Sequence, residues 1–292
     1  MTSADTVSSA QLRATAVAAA LSVGADLRAA FRTPMDVAHK RDRRDEVTEH
    51  DRRAEQNISA LLLAECPGSA VVGEEFGQSG ESELLWLVDP IDGTTAFIQG
   101  LAFFSVSIAA VRNGEVVAGV VYDPVAGEMF SADDDGAYLG GEPMAPLTSG
   151  DETGANVITG FPSARDLAQA RAECLEGFAA LVENHHTVRR ISSAALSLAY
   201  VAAGRADAVF GTGVNAWDIA AGSLIVERAG GIFRGLDLGR EFAEPQAGHI
   251  AGPIYYAHRF GKYPTLEGLA RHVHGIRRKS ATTGGELGNG VN

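Results

Sequence analysis

The stretch that decides the fold is WLVDPIDGTT, residues Trp86–Thr95. It begins as an apolar run, the pattern of a strand that is buried on both faces. Two aspartates, Asp89 and Asp92, follow the run, and Pro90 and Gly93 take the chain out of regular strand pairing there. Both carboxylates therefore lie on a tight turn at a strand end, where they can point at a common centre.

This turn offers the ligands that Mg²⁺ prefers, which are hard oxygen atoms completed by substrate phosphate and water. The backbone carbonyl of Ile91 is a further oxygen in the same turn. The next residues, Gly93-Thr94-Thr95, predict the start of a helical turn, where free N–H groups bind phosphate and glycine lets the backbone approach closely. The alternative is a plain turn with two solvated aspartates, but the buried strand and the Gly-Thr-Thr sequence favour a metal site.

Two other acidic segments are candidates for the same site. Glu74 lies in GEEFG at 73–77, after a short predicted strand, and its alternative role is surface charge. Asp218 lies in AWDIAAG at 216–222, in the first turn of a predicted amphipathic helix. A carboxylate at that position also favours the helix dipole, so capping is the alternative role for Asp218.

Composition excludes several classes of function. The chain has 292 residues, of which 46% are hydrophobic and 21% charged, as in an ordinary soluble globular protein. Its 24 basic and 37 acidic residues give a net charge of −13, which argues against nucleic acid as a partner. No apolar run reaches the roughly 20 residues that span a bilayer, so no membrane partner is expected. The two cysteines fit a reducing compartment, and we expect a cytoplasmic location.

Hydrophobic periodicity divides the chain into two halves. The first half predicts helices over 10–31 and 51–65, then strands at 70–73, 84–88, 104–111, 115–122, 128–132 and 136–139, of which the last four are antiparallel. After residue 150, strand-like and helical segments alternate, which is typical of a layered α/β unit. We therefore predict an N-terminal α+β subdomain over 1–150 with most of the metal ligands, a C-terminal α/β subdomain over 151–276 that completes the site, and a disordered tail over 277–292.

Together these segments resemble the inositol monophosphatase family of magnesium-dependent, lithium-sensitive phosphatases. Five motifs carry the resemblance, in the same order and at similar spacing over roughly residues 10–260: the two signatures Trp86–Thr95 and Trp217–Gly231, the glutamate loop Gly73–Glu75, Asp45-x-Val47-Thr48-x-x-Asp51, and Arg190-x-x-Ser193-Ala194-Ala195. The resemblance implies a mixed α+β and α/β fold, a layered αβαβα sandwich.

The resemblance also implies roles for individual residues. Two or three Mg²⁺ ions would be held by Glu74, Asp89, the carbonyl of Ile91, Asp92 and Asp218. Glu74 and Thr94 would activate the attacking water, and Asp51 would support a third, weaker ion. The substrate would contact Gly93, Thr94, Thr95, Ser192, Ser193, Ala194 and Asp218. Lys40 would lie on a mobile loop over the site. For Ser192, Ser193 and Asn215, local capping is an equally good interpretation.

The implied activity is magnesium-dependent hydrolysis of a small phosphate monoester by metal-activated water. Inositol monophosphate is the first substrate choice, and the expected assembly is a homodimer, as is common in relatives. Two other phosphatases are alternatives, a 3′(2′),5′-bisphosphate nucleotidase and a histidinol phosphatase. The alternative of another class is a non-catalytic protein that binds a phosphorylated metabolite. A metal-dependent glycosyltransferase is a more distant option.

Three positions depart from the family pattern. Ala96 replaces a common asparagine, Ser192 replaces the usual glycine before the Ser-Ala-Ala segment, and Gly211 replaces an acidic residue that would accept hydrogen bonds from substrate hydroxyls. The departure at Gly211 weakens the case for a polyol substrate, because a site recognises hydroxyls through matched partners.

Overall fold

The chain folds into five layers of helices and sheets. A computed structural model describes residues 7–40, 46–148, 150–191, 193–236 and 254–285. Within these ranges, helices and sheets alternate in the order helix, sheet, helix, sheet, helix. The expected αβαβα sandwich is therefore confirmed. None of the described helices combines the length and the apolar character that crossing a membrane requires.

Two N-terminal helices form the first layer, α1 (Ser9–Ala30) and α2 (Glu49–Glu65). Each starts at a side-chain cap that the sequence supplies. The Ser8 hydroxyl accepts from the N–H of Gln11 at 3.2 Å, and Asp51 accepts from the N–H of Thr48 at 2.8 Å. Such caps satisfy N–H groups that have no partner inside the helix. Between the helices lies an antiparallel pair of short strands, β1 (Val37–His39) and β2 (Glu46–Thr48).

The second layer is an eight-stranded sheet in the order β10-β9-β8-β7-β6-β5-β3-β4. Only β3 and β5 pair in parallel in this sheet, so the predicted antiparallel strands are confirmed. A short helix, α3 (Thr94–Ile98), leaves the end of β5. The strands are β3 (Ala70–Gly73), β4 (Gly77–Ser79), β5 (Leu84–Asp92), β6 (Ser105–Arg112), β7 (Glu115–Asp123), β8 (Glu128–Asp133), β9 (Gly136–Leu139) and β10 (Glu142–Pro143).

The remaining layers come from the second half of the chain. Its main sheet has the order β13-β12-β14-β16-β15, with a parallel side and an antiparallel side. A separate parallel pair joins β11 to β17. The elements are β11 (Gly150–Asp151), β12 (Asn156–Thr159), α4 (Ala164–Asn184), β13 (Thr187–Arg190), α5 (Ala194–Ala202), β14 (Ala208–Thr212), α6 (Ala216–Arg228), β15 (Ile232–Leu236), β16 (Ile254–His258), β17 (Gly261–Lys262) and α7 (Pro264–Gly285).

Three hydrophobic clusters hold the layers together. The first joins α1 and α2 to one face of the eight-stranded sheet, around Leu27 and Trp86. The second encloses α5 and α6 between the two sheets, around Leu198 and Ile225. The third packs α4 and α7 on the far face of the smaller sheet. Because α5 and α6 contact both sheets, the two halves of the chain share one continuous interior at the layer that carries Asp218.

The predicted disordered tail is wrong for residues 277–285, whose backbone continues α7 to Gly285. The helix is already anchored by Leu266, Leu269 and Ala270, which are buried against the smaller sheet. Extension from an anchored helix costs much less than nucleation, and the RRKSA sequence at 277–281 is made mostly of good helix formers. Residues 286–292 lie outside the described residues.

A glycine on β7 lets α6 lie directly on the sheet. A Cβ at Gly119 would stand 2.8 Å from the carbonyl oxygen of Ala221 and 2.9 Å from its Cα. These are backbone atoms of α6, so they cannot move without moving the helix that carries Asp218.

We predict that Gly119→Ala lowers the free energy of unfolding by about 1–3 kcal/mol, because the added methyl group overpacks the contact with α6. The measurement is urea denaturation. Gly154→Ala is the matched control, since a Cβ there meets no atom within 4 Å. Equal stability of the two variants would contradict this account of the contact.

Candidate metal centre

Three carboxylates converge between the eight-stranded sheet and the helices behind it. They belong to Asp89 and Asp92 at the end of β5 and to Asp218 in the first turn of α6. One oxygen of each lies within 4.8 Å of the others. Asp89 and Asp92 are buried, whereas Asp218 keeps some exposure. The structure therefore brings together residues that lie far apart in the sequence.

A bulge in β5 points both aspartates to the same side. Asp89 pairs with Ser107 and Asp92 pairs with Ser105, so three steps along β5 match two steps along β6. In a regular strand, residues three apart face opposite sides of the sheet. The extra residue corrects this, as β-bulges do next to active sites. Pro90 suits the bulge because it has no N–H to offer a neighbouring strand.

The N-terminus of α5 holds Asp92 in place. Asp92 Oδ2 accepts from the Ser193 hydroxyl at 2.6 Å and from the N–H of Ala195 at 2.7 Å, and Oδ1 accepts from the N–H of Ala194 at 3.2 Å. Ser193 and Ala194 were expected to contact substrate, and the structure shows that they contact a predicted metal ligand. Ser192 lies outside the described residues.

The other two aspartates are oriented by nearby backbone. Asp89 Oδ1 accepts from the N–H of Ile91 at 3.0 Å, and Asp218 Oδ2 accepts from the N–H of Asn215 at 2.6 Å. Asp218 therefore also has the capping contact that was its alternative role. The Ser107 hydroxyl donates to the carbonyl of Trp217 at 2.8 Å, which fastens the first turn of α6 to β6.

Burial and neighbouring carboxylates raise the pKa values of all three aspartates. Burial, followed by the charges of Glu74, Asp92 and Asp218, raises the pKa of Asp89 well above its ordinary value. Burial raises the pKa of Asp92 to about 6 despite the hydrogen bonds from α5. Burial and the charge of Asp92 raise the pKa of Asp218 to about 8. A divalent cation would relieve this repulsion.

The donor set fits a hard divalent cation. Among the described residues it offers three carboxylates, whose oxygens are ligands of Mg²⁺ and Mn²⁺, without the nitrogen and sulfur ligands that are typical of zinc, and the carbonyl of Ile91 remains a predicted further ligand. Glu74 is not part of the group within 4.8 Å, but its charge raises the pKa of Asp89. Its place in the ligand set remains a prediction.

Lys40 contacts the glutamate loop from the end of β1. Its ammonium lies 3.0 Å from Glu74 Oε1 and also binds Glu75. Burial alone would lower the pKa of Lys40, but Glu75 and Glu74 outweigh burial and raise it to about 12. Lys40 thus reaches the predicted site. The following residues, 41–45, lie outside the described residues and include Asp45 of the early motif.

Asp51 and Thr94, which were assigned separate roles from the resemblance, lie side by side. The Thr94 hydroxyl oxygen is 3.2 Å from Asp51 Oδ1 and 3.0 Å from the carbonyl oxygen of Ile91. Its single hydrogen can serve only one of these acceptors at a time. Asp51 is 1% exposed, and burial raises its pKa although its bonds with Thr48 lower it. This geometry links α2 to the metal-binding turn, while the catalytic roles of both residues remain a prediction.

The Gly-Thr-Thr segment turns sharply into α3. Gly93 has a φ of 95°, a left-handed conformation that favours glycine. The N–H groups of Ala96 and Phe97 both donate to the carbonyl of Gly93, so the N–H groups at 93–95 come before the first bonds of the helix. The Thr95 hydroxyl donates to Glu46 at 2.8 Å. The contact of Thr95 with phosphate remains a prediction.

The sequence analysis missed Glu55, which fixes the glutamate loop. Its carboxylate is 1% exposed and accepts from the N–H of Glu75 at 2.7 Å and of Phe76 at 3.0 Å. A Cβ at Gly73 would stand 2.0 Å from Glu55 Oε1, so the loop closes on Glu55 because residue 73 is glycine. The one available signal was the position of Glu55, one helical turn after Asp51 on α2.

Comparison with known proteins identifies the family. The model of the inositol monophosphatase family matches residues 8–277. The chain belongs to the inositol monophosphatase family. Its relatives include "Nus factor SuhB" of Pseudomonas aeruginosa, 42% identical over 217 residues, with 73% of this chain and 79% of that protein covered. They also include "Inositol-1-monophosphatase" of Mesorhizobium japonicum, 38% identical over 204 residues, with 68% of this chain and 76% of that protein covered.

Solved structures share the fold of this inositol monophosphatase family member. The extragenic suppressor protein suhB of Bartonella henselae aligns with a TM-score of 0.77 at 30% identity, covering 90% of this chain and 98% of that one. The IMPase TM1415 of Thermotoga maritima aligns with a TM-score of 0.72 at 29% identity, covering 91% and 96% of the two chains. The expected family is therefore confirmed over nearly the whole chain.

We predict that Glu55→Gln weakens Mg²⁺ binding by about 10- to 100-fold, because the glutamate loop of this family member loses one of its two backbone anchors. Calorimetric titration of the protein with Mg²⁺ measures the effect. Glu65→Gln, at an exposed position on the same helix, serves as the control. Unchanged Mg²⁺ affinity in Glu55→Gln would show that this anchor does not support the site.

The raised pKa values also predict how Mg²⁺ changes stability with pH. A group whose pKa is raised on folding stabilises the fold below its unfolded pKa, and this contribution is lost as pH rises through the folded value. Asp92 and Asp218 have pKa values of about 6 and about 8 in the folded protein. Their contribution to stability is therefore lost as the pH rises from weakly acidic to weakly basic. The increase in Tm on adding Mg²⁺ should therefore be small near about pH 5.5 and larger near about pH 8.5. An increase that is independent of pH would contradict the assignment.

Proposed function

We propose that this protein is a magnesium-dependent phosphatase that hydrolyses a small phosphate monoester, with inositol monophosphate as the first candidate. The observation that carries the proposal is the convergence of Asp89, Asp92 and Asp218, oxygens of which lie within 4.8 Å of one another. The raised pKa values of the three groups make this arrangement unfavourable without a cation. The homodimer and the cytoplasmic location remain predictions.

Each part of the site has a proposed task. Asp89, Asp92 and Asp218 would hold the ions, and Glu74 and the carbonyl of Ile91 would complete the set. When bound, the ions neutralise phosphoryl oxygens, lower the pKa of a bound water and stabilise the leaving oxygen. The Thr94–Asp51 pair would orient that water and accept its proton. The backbone N–H groups at 93–95 would bind the phosphoryl oxygens.

The proposed reaction needs no phosphorylated side chain. A water oxygen forms a bond to phosphorus while the ester bond between phosphorus and the leaving oxygen breaks, and the leaving alcohol takes up a proton. Because uncatalysed hydrolysis of phosphate monoesters is extremely slow, the site must supply a large electrostatic stabilisation. The crowded carboxylates supply this electrostatic stabilisation indirectly, because they bind the cations.

A second candidate comes from the names of several relatives. Several relatives are named "Nus factor SuhB", such as the protein of Pseudomonas aeruginosa at 42% identity. These names suggest a role in transcription as a second candidate function for this chain. A binding role of that kind would not need the carboxylate cluster. The relative named "Inositol-1-monophosphatase", at 38% identity, supports the phosphatase instead. The two roles are separated by assaying phosphate release and binding to a transcription complex independently.

We predict that the wild-type protein releases phosphate from inositol 1-phosphate only when Mg²⁺ is present. Asp92→Asn should lower kcat by at least about 1000-fold, because it removes a buried ligand and its charge. Asp134→Asn is the matched control, since Asp134 lies in an exposed turn. Phosphate release is measured colorimetrically, and a competent Asp92→Asn enzyme would refute the proposed mechanism.

A panel of esters decides between the alternative enzymes. We expect the highest kcat/KM on inositol 1-phosphate. A higher kcat/KM on 3′-phosphoadenosine 5′-phosphate would identify a bisphosphate nucleotidase instead, and a higher kcat/KM on histidinol phosphate would identify a histidinol phosphatase. Mg²⁺-dependent binding of the esters without phosphate release would instead identify a non-catalytic phosphometabolite-binding protein.

A further inference from the structure

A cavity opens beside the aspartates on the side of the smaller sheet. Its volume is about 140 Å³, and its walls include Ser193, Gly211 and Tyr255. Ser193 also donates its hydroxyl hydrogen to Asp92 at 2.6 Å. The cavity therefore adjoins the residue that holds a predicted metal ligand.

Tyr255 fills the space that a side chain at position 211 would take. The two residues face each other in the pairing of β14 with β16. A Cβ at Gly211 would stand 2.2 Å from Tyr255 Cε1 and 2.8 Å from its hydroxyl oxygen. The ring thus lies over Gly211, and Tyr255 is only 3% exposed. Any larger residue at 211 would push the phenol out of the cavity wall.

The phenol of Tyr255 is a hydrogen-bond donor at every physiological pH. Burial, followed by the charges of Asp92 and Asp218, raises the pKa of Tyr255 above its ordinary value. Tyr255 lines the same cavity as Ser193, whose hydroxyl donates to Asp92. One O–H group at this point can donate to, or accept from, a hydroxyl of the leaving group.

The described residues of the cavity wall offer no charged side chain that could pair with an ionic group of a substrate. Among the described residues that line it, none has a charged side chain. The wall hydroxyls of Ser163 and Thr212 donate to the buried carboxylate of Asp166, at 2.6 Å and 2.8 Å. A second anionic group of a substrate would therefore enter without a cationic partner and with a carboxylate behind the wall. Such a group is expensive to desolvate.

We propose that Tyr255 is a specificity-determining residue of this site, whose hydroxyl contacts the leaving group in an uncharged cavity that favours neutral, hydroxylated alcohols over charged ones. This inference rests on the proposed phosphatase function and narrows its substrate class. It also accounts for the glycine at 211, since the phenol and a side chain at that position exclude each other.

The first test uses the wild-type protein with Mg²⁺. We expect kcat/KM on inositol 1-phosphate, whose leaving group is a neutral polyol, to exceed that on 3′-phosphoadenosine 5′-phosphate by at least about tenfold. Histidinol phosphate, whose leaving group is cationic, should also be the poorer substrate. A preference for either charged leaving group would overturn the inference while leaving the phosphatase proposal intact.

The second test removes the hydroxyl and keeps the ring. Tyr255→Phe should lower kcat/KM on inositol 1-phosphate by about three- to tenfold, the worth of one hydrogen bond. The same variant should leave kcat/KM on phenyl phosphate unchanged, because that leaving group has no further hydroxyl. Tyr256→Phe is the control, since Tyr256 follows on the same strand and packs in the cluster on the opposite face of the sheet.

An equal loss on both esters, or no loss on either, would show that Tyr255 has only a structural role. Thermal unfolding of each variant checks that the fold is retained, and the wild-type comparison holds even if Tyr255→Phe is unstable. Failure of the wild-type protein to release phosphate from any ester would instead refute the phosphatase proposal, and this inference with it.

Discussion

The repulsion between buried carboxylates is the constraint on which this structure depends. Asp89, Asp92 and Asp218 are held close together in an interior where charge is poorly solvated, and burial together with neighbouring carboxylates raises the pKa of each. Such an arrangement costs stability and is expected at functional sites rather than in structural cores. A bound divalent cation turns the same repulsion into attraction. The five layers can be understood as the scaffold that keeps the carboxylates together.

Several parts of that scaffold use the same device, a glycine whose missing side chain is replaced by a neighbour. Gly73 leaves room for the Glu55 carboxylate, Gly119 for the backbone of α6, and Gly211 for the ring of Tyr255. Each contact fixes an element of the site, namely the glutamate loop, the helix that carries Asp218 and the cavity wall. Rigid support of this kind matters because ligand and substrate positions must be held closely.

The sequence was most informative where the signal is local. The apolar run before Asp89, the helices at 10–31 and 51–65 and the antiparallel strands of the first half depend on the pattern of neighbouring residues, and the structure has these elements close to where they were expected. The contacts of Glu55 and Ser193 could not be predicted in this way, because their partners lie about 20 and 100 residues distant. For the same reason neither β16 nor α7 was predicted: β16 is defined by pairing with β14 and β15, and α7 by docking on the smaller sheet.

The most direct test of the central claim is to locate the cation. Crystals soaked in Mn²⁺ should show anomalous scattering between the carboxylates of Asp89, Asp92 and Asp218, with oxygen ligands at about 2.0–2.3 Å. Crystals of Asp92→Asn, treated in the same way, should show a weaker peak or none. An absence of anomalous scattering at the three aspartates of the wild-type protein, with their side chains still in contact, would contradict the account.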